Sequence, residues 1–277
     1  MSADTLPYAL LMLLIELAAG SLAFVMLFDA RRMVTGGYVQ TAALTAAPLV
    51  LLALLAAAGV HGRADIDGYV LRPDRLPALR WLLAASCAAS VAYALAALAG
   101  GRALRLAFGG VATVLSLVSL AWLAAVVGEP AWSYAGMLAS MLAAAAALGG
   151  ALMAMLWGHW YLTNSGLPKE PLEQMTLLVA GAVALQLLLA IVALAAPVRI
   201  EPLTESAFGV SLAANPALWL RVGVGLLFPL VLAVLSWRAA SIRGMMSATG
   251  LLYIAVGAVL AGEVLARGLL FASGAAV

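Results

Sequence analysis

Five side chains in this sequence combine acid–base or charge chemistry with positions where a charge is costly: Glu16, His61, Arg221, Glu263 and Arg267. Four of them stand inside apolar runs of about 20 residues, the length that crosses a bilayer's hydrocarbon. A charge there costs about 3 kcal/mol on insertion scales, which makes each one a functional candidate. His61 stands at the end of such a run. Glu263 and Arg267, four residues apart in GEVLARG, share a helix face and can pair within one helix. A carboxylate, an imidazole and guanidinium groups in a partly dry cleft suit a quinone, menaquinone or ubiquinone. Its two carbonyls take hydrogen bonds, its tail needs apolar grooves and its redox cycle moves two protons. On this reading His61 bonds a quinone carbonyl and relays a proton. Glu263 is the buried proton carrier, Arg267 holds its charge state, and Arg221 and Glu16 line the pocket. The competing structural reading is that these charges neutralise one another and lock the helices together.

The elements that must position these groups are transmembrane helices. The chain has 277 residues, 66% hydrophobic and 9% charged, against about 25% charged for a soluble globular domain. Eight apolar segments are predicted, over about residues 8–28, 40–60, 79–99, 104–127, 132–158, 174–197, 217–237 and 248–272. Residues 1–277 therefore read as one all-α transmembrane domain, a polytopic bundle of eight helices. The long unbroken runs exclude a β-barrel, whose strands alternate apolar and polar residues. The leader MSADTLPY carries no positive residue, so the first segment reads as a retained helix and not as a cleavable signal.

Orientation follows from Lys and Arg, which short cytoplasmic loops retain. With the N-terminus outside, the inner loops hold Arg31, Arg32, Arg102, Arg105, Lys169, Arg238 and Arg243, and the outer ones hold Arg63, Arg72, Arg75, Arg80 and Arg199. Both termini are then extracytoplasmic, in a multi-pass protein of the bacterial cytoplasmic membrane. The two long loops, 61–78 and 198–216, face outward and offer a surface for an extracytoplasmic partner. At 1.5 Å per residue, Glu16 lies about 12 Å below the outer end of its helix, Arg221 about 6 Å, Arg267 about 8 Å and Glu263 about 14 Å. With His61 at the outer end of the second helix, all five are expected in one shared pocket.

Other features are bounded more simply. Fourteen Lys and Arg against twelve Asp and Glu, well scattered, leave no concentrated cationic face for nucleic acid. The single Cys87 excludes a disulfide framework and a cysteine-held iron–sulfur cluster within the chain. A haem held by two histidines is not expected, because His61 and His159 fall at opposite ends of their helices; no metal site is predicted. Trp157, Trp160 and Tyr161 in WGHWYLTNSGLP read as an interfacial aromatic belt. The alternative is a second site or proton inlet in which His159 faces inward beside Asp29. AAAAALGGALMA suits close helix packing, and in NPALW Asn215 caps a helix that Pro216 starts. No internal sequence repeat is visible.

The closing stretch AGEVLARGLLF, residues 261–271, resembles the last helix of the membrane anchor subunits of DMSO reductase-type enzymes, within the NrfD-like group of quinone-interacting proteins. Those anchors are cofactor-free, eight-helix proteins of similar length with a His just past the second helix, where His61 stands. The resemblance implies an anchor subunit of a respiratory oxidoreductase. Its His61, Glu263 and Arg267 would serve menaquinol, whose electrons pass to an iron–sulfur subunit and on to a catalytic molybdenum subunit. Glu16 and Arg221 join that set by depth alone. The family's carboxylate early in the third helix has no counterpart in PALRWLLAASCAAS. Two other classes compete: a proton or small-solute transporter using the same charges as a relay, and a scaffold subunit of a larger complex.

Overall fold

The computed structural model describes residues 5–66, 68–128, 133–164, 166–195 and 212–277. Eight helices in them are long and apolar enough to span a membrane. They are α1 (Leu6–Ala30), α2 (Gly36–Gly59), α3 (Leu76–Ala99), α4 (Arg102–Val127), α5 (Tyr134–Thr163), α6 (Glu170–Ala195), α7 (Pro216–Ser241) and α8 (Met245–Ser273). The chain is thus an all-α, multi-pass membrane protein. Large apolar side chains such as Leu55, Leu95, Leu188, Ile191 and Ile254 point outward. Where lipid is the solvent, such an apolar exterior is what a folded protein presents.

Local chemistry sets the helix ends. Thr35 and Ser133 cap α2 and α5 through side-chain bonds to Tyr38 N and Gly136 N. Asn215 caps α7 by accepting from Ala217 N at 3.0 Å, with Pro216 in the first turn as NPALW predicts. Gly100 and Gly274 close α3 and α8 in the left-handed region, φ 79° and 68°, where a Cβ would be strained. α5 runs five residues past its predicted end, to Thr163, and α6 starts four earlier, at Glu170. The predicted helix residues 132, 196 and 197, and most of the predicted loop 198–216, lie outside the described residues. The other predicted loop, 61–78, is partly built: strands β1 (Asp65–Ile66) and β2 (Tyr69–Val70) pair antiparallel, and a 3₁₀ turn, Pro73–Arg75, leads into α3.

The helices form the same arrangement twice. α1 packs on α2 and α4, α2 on α3, and α3 on α4; likewise α5 packs on α6 and α8, α6 on α7, and α7 on α8. The helix packing thus repeats although no repeat is visible in the sequence. Four helices per unit is an even number, so both units run in the same sense across the bilayer. The start of α1 and the end of α8 lie at one face, where Tyr8 of α1 and Tyr69 of the hairpin flank Phe271 of α8 edge-on, at centroid distances of 6.4 and 5.4 Å.

The main joint between units is α1 against α5. A Cβ on Gly20 would run into the Ala145 carbonyl and lie 3.2 Å from Gly149 Cα, and one on Gly149 would run into the Gly20 backbone. Small residues thus let the two backbones touch, as the AAAAALGG run suggests. Overpacking a core typically costs about 1–3 kcal/mol, and more where backbone blocks the new atoms. Gly149→Val is accordingly expected to lower the unfolding midpoint of the detergent-purified protein by several degrees or abolish its folding. Gly181→Ala in α6, where a Cβ meets nothing within 4 Å, should leave it unchanged or slightly higher.

Candidate functional site

Where α1 of the first unit meets α7 and α8 of the second, in the half of the bundle nearer Leu6 and Ser273, four charged side chains come together. Counting along each helix from that face, Glu16 and Glu263 both lie about 15 Å deep, Gln186 about 14 Å, Arg267 about 9 Å and Arg221 about 8 Å. Arg267 Nη2 stands 2.8 Å from Glu16 Oε1 and 3.0 Å from Glu263 Oε2. Arg221 Nη2 donates to Glu263 Oε1 at 2.9 Å, and Gln186 Nε2 donates to the same oxygen at 2.6 Å. The two carboxylates are 0% exposed and the two guanidiniums 2%, so lipid and water are both excluded from the cluster. Its formal charges sum to zero.

Two backbone features bring Arg221 to Glu263. A Cβ on Gly225 would come within 2.5 Å of Gly262 Cα, so α7 and α8 touch at a glycine pair one residue from Glu263. Arg221 also opens a π-helical stretch, Arg221–Leu227, whose wider turn re-aims the side chains around it. Such stretches concentrate at functional sites.

Hydrogen bonding in the cluster is incomplete. Glu16 Oε2, Gln186 Oε1, Arg221 Nε and Nη1, and Arg267 Nε have no hydrogen-bond partner in the protein; Glu16 Oε1, though close to Arg267, lies outside hydrogen-bonding angles. Buried polar atoms are nearly always paired, and each exception calls for an explanation such as strain, a catalytic role or a bound water or ion. Of the four charged groups, only the two carboxylates can take up a proton, since the guanidiniums stay charged and act as donors alone.

The structure thus brings together Glu16, Arg221, Glu263 and Arg267, but not His61. α2 ends at Gly59, so His61 leads off into the hairpin segment, exposed, with its backbone carbonyl accepting from Tyr8 Oη at 3.0 Å. The expectation of one pocket for all five groups is corrected to a buried cluster of four and a surface histidine. Gln186 was missed as a member. Its signal is readable in hindsight, since it is the lone polar side chain in LLVAGAVALQLLLAIVALA.

The far face differs from both expectations made for it. The Asp29 carboxylate is taken by Arg105 in a buried two-point pair, Nε to Oδ2 at 2.8 Å and Nη2 to Oδ1 at 2.6 Å. Arg105, expected in a loop, is 8% exposed in the first turn of α4. His159 is exposed, with Nδ1 3.0 Å from Tyr253 Oη. Of the three expected belt aromatics, Trp157 and Tyr161 are buried on the face of α5 that packs inward, and Trp160 is half-buried. Trp157 stacks edge-on against Tyr38, centroids 5.0 Å apart.

Compared with known proteins, the chain is matched by no family model, no curated protein and no solved structure.

Removing one partner of a buried ion pair typically costs about 3–5 kcal/mol, because the other charge is left uncompensated. Arg221→Met should therefore destabilise the protein by about that amount in a denaturant titration. Adding Glu263→Gln, which restores neutrality, should recover most of the loss.

Proposed function

We propose that this chain is an integral membrane subunit of a quinone-linked respiratory oxidoreductase in a bacterial cytoplasmic membrane. On this reading it binds a quinol near the face carrying the start of α1 and the end of α8, which is the extracytoplasmic one, and hands the two electrons to an iron–sulfur partner subunit. The observation that carries the proposal is the buried cluster of Glu16, Arg221, Glu263 and Arg267 with its spare hydrogen-bonding atoms. A sealed acid–base set of this kind supports proton handling; the quinone and the partner are supported by the resemblance of AGEVLARGLLF and the place of His61.

One surface feature fits a quinone beside His61. A groove of about 390 Å³ between α2 and α3 is lined by Leu54, Pro77, Arg80, Trp81 and Ala84 and opens on the bundle's flank. Arg80 Nη2 donates to the carbonyl of Val60, the residue before His61, at 2.7 Å. A groove walled by Leu54, Trp81 and Ala84, with the Arg80 guanidinium in its lining, suits an isoprenoid tail and a ring carbonyl. Oxidising a quinol releases two protons and two electrons. On this reading the His61 imidazole, in the segment just past the groove, accepts one of the two protons and the other passes to water at that face. α1 leads inward from there, since Tyr8, bonded to the His61 carbonyl, and Glu16 lie on one face about 12 Å apart.

A second reading has a specific observation in its favour. Two four-helix units running in the same sense, with a charge cluster bridging them, are also the plan of transporters built from parallel repeats. Co-purification with iron–sulfur and molybdenum subunits supports the oxidoreductase; proton-coupled solute flux by the lone chain in liposomes supports the transporter. Within the complex, His61→Ala is expected to lower quinol oxidation about a hundredfold, the scale of a lost general base, while the subunits still co-purify. A wild-type rate would remove His61 from the site.

A further inference from the structure

The two buried carboxylates are not equivalent, and their surroundings decide which one exchanges a proton. We propose that Glu16, and not Glu263, takes up and releases the proton of this cluster, and that doing so makes and breaks the ion pair joining α1 to α8. This rests on reading the cluster as a proton-handling site; it does not depend on the quinone.

Glu263 is committed as an anion. Oε1 accepts from Gln186 Nε2 at 2.6 Å and Arg221 Nη2 at 2.9 Å, and Oε2 accepts from Arg267 Nη2 at 3.0 Å. An ionised carboxylate only accepts, and three donors, two of them cationic, already point at it. A proton on either oxygen would turn an acceptor into a donor facing a donor, at the cost of a charge-assisted bond.

Glu16 has the opposite surroundings. Its one ionic contact is Arg267 Nη2 at 2.8 Å, the nitrogen that also serves Glu263. Neither of its oxygens receives a hydrogen bond of good geometry, and both are buried. An anion so poorly solvated is costly in a dry interior, and a proton removes the charge with no donor in the way. The charged groups facing it are Arg267 and Glu263 on α8 and Arg221 on α7. Of the other helices packed on α1, α2 has no charged residue, and α4 and α5 carry theirs only near the far face.

The exchange balances simply. One proton added to the Glu16 carboxylate gives the neutral acid and takes the cluster from net zero to net +1, with the charge shared by two guanidiniums and Glu263. Arg267 then keeps Glu263 as its counter-ion and loses α1. The α1–α5 glycine crossing is untouched by this, so the α1–α8 contact is the part of the joint that protonation controls.

Infrared difference spectroscopy of the full chain in lipid nanodiscs, titrated with pH, tests the assignment without quinone or partners. The wild type should show the carbonyl stretch of a protonated, dry carboxylic acid, shifting in D₂O, and Glu16→Gln should lose the whole band while Glu263→Gln keeps it. If Glu263→Gln does not fold, Glu16→Asp gives the same discrimination, because a Glu16 band moves in frequency and midpoint whereas a Glu263 band stays put. A wild type without the band, or a band that survives in Glu16→Gln or is unmoved in Glu16→Asp, overturns the proposal. A Glu16→Gln complex that has lost the band yet oxidises quinol at the wild-type rate keeps the assignment and removes Glu16 from the proposed function.

Discussion

A single nitrogen, Arg267 Nη2, lies within 3.0 Å of carboxylate oxygens on two different helices, Glu16 on α1 and Glu263 on α8. Much of the tertiary structure around the site follows from the requirement behind that contact. An uncompensated charge cannot face hydrocarbon, so each ionisable group inside the bilayer must find an opposite charge at its own depth. Meeting that requirement sets the registers of α1, α7 and α8 against one another. The glycine pair Gly225 and Gly262 and the π-helical turn at Arg221 are the local means by which the backbone complies.

Several of the other cations show the same economy at the helix ends. Arg80 donates to the Ala57 and Val60 carbonyls at the end of α2, Arg75 to Ala125 at the end of α4, Arg102 to Asp29 and Ala30 at the end of α1, and Lys169 to Ser241 at the end of α7. The last carbonyls of a helix lack intrahelical partners and carry partial negative charge, so a basic side chain there satisfies both needs. Basic residues at both faces therefore have structural work, and Arg105 is taken up by Asp29. Loop charge thus records these local pairings as well as sidedness.

The two four-helix units share a plan and differ in polar content. Inside the first unit, α3 and α4 meet through a 2.6 Å bond between Ser86 and Ser116. Inside the second, the charge cluster sits among α6, α7 and α8, and α1 of the first unit reaches in to complete it. The division gives the halves different work: the first supplies the hairpin, His61 and the surface groove, and the second supplies the buried acid–base set. Glu16 is where a charged contact joins the two halves, through Arg267 of α8.

Composition and run length determined the membrane environment, the number of helices and most of their ends, because spanning lipid demands long apolar stretches whatever their neighbours. Depth arithmetic along each helix also brought Glu16, Arg221, Glu263 and Arg267 toward one level, though together with His61, since rise per residue is a local property. Which faces those helices turn to one another was not legible, because residues apolar on every side give no periodicity to read. Only the tertiary structure decided that His61 stands outside the cluster, that Gln186 belongs in it, that Trp157 is core and that Asp29 answers Arg105. Each of these depends on contacts between helices distant in sequence, and on glycine crossings whose effect appears only when two backbones are already side by side.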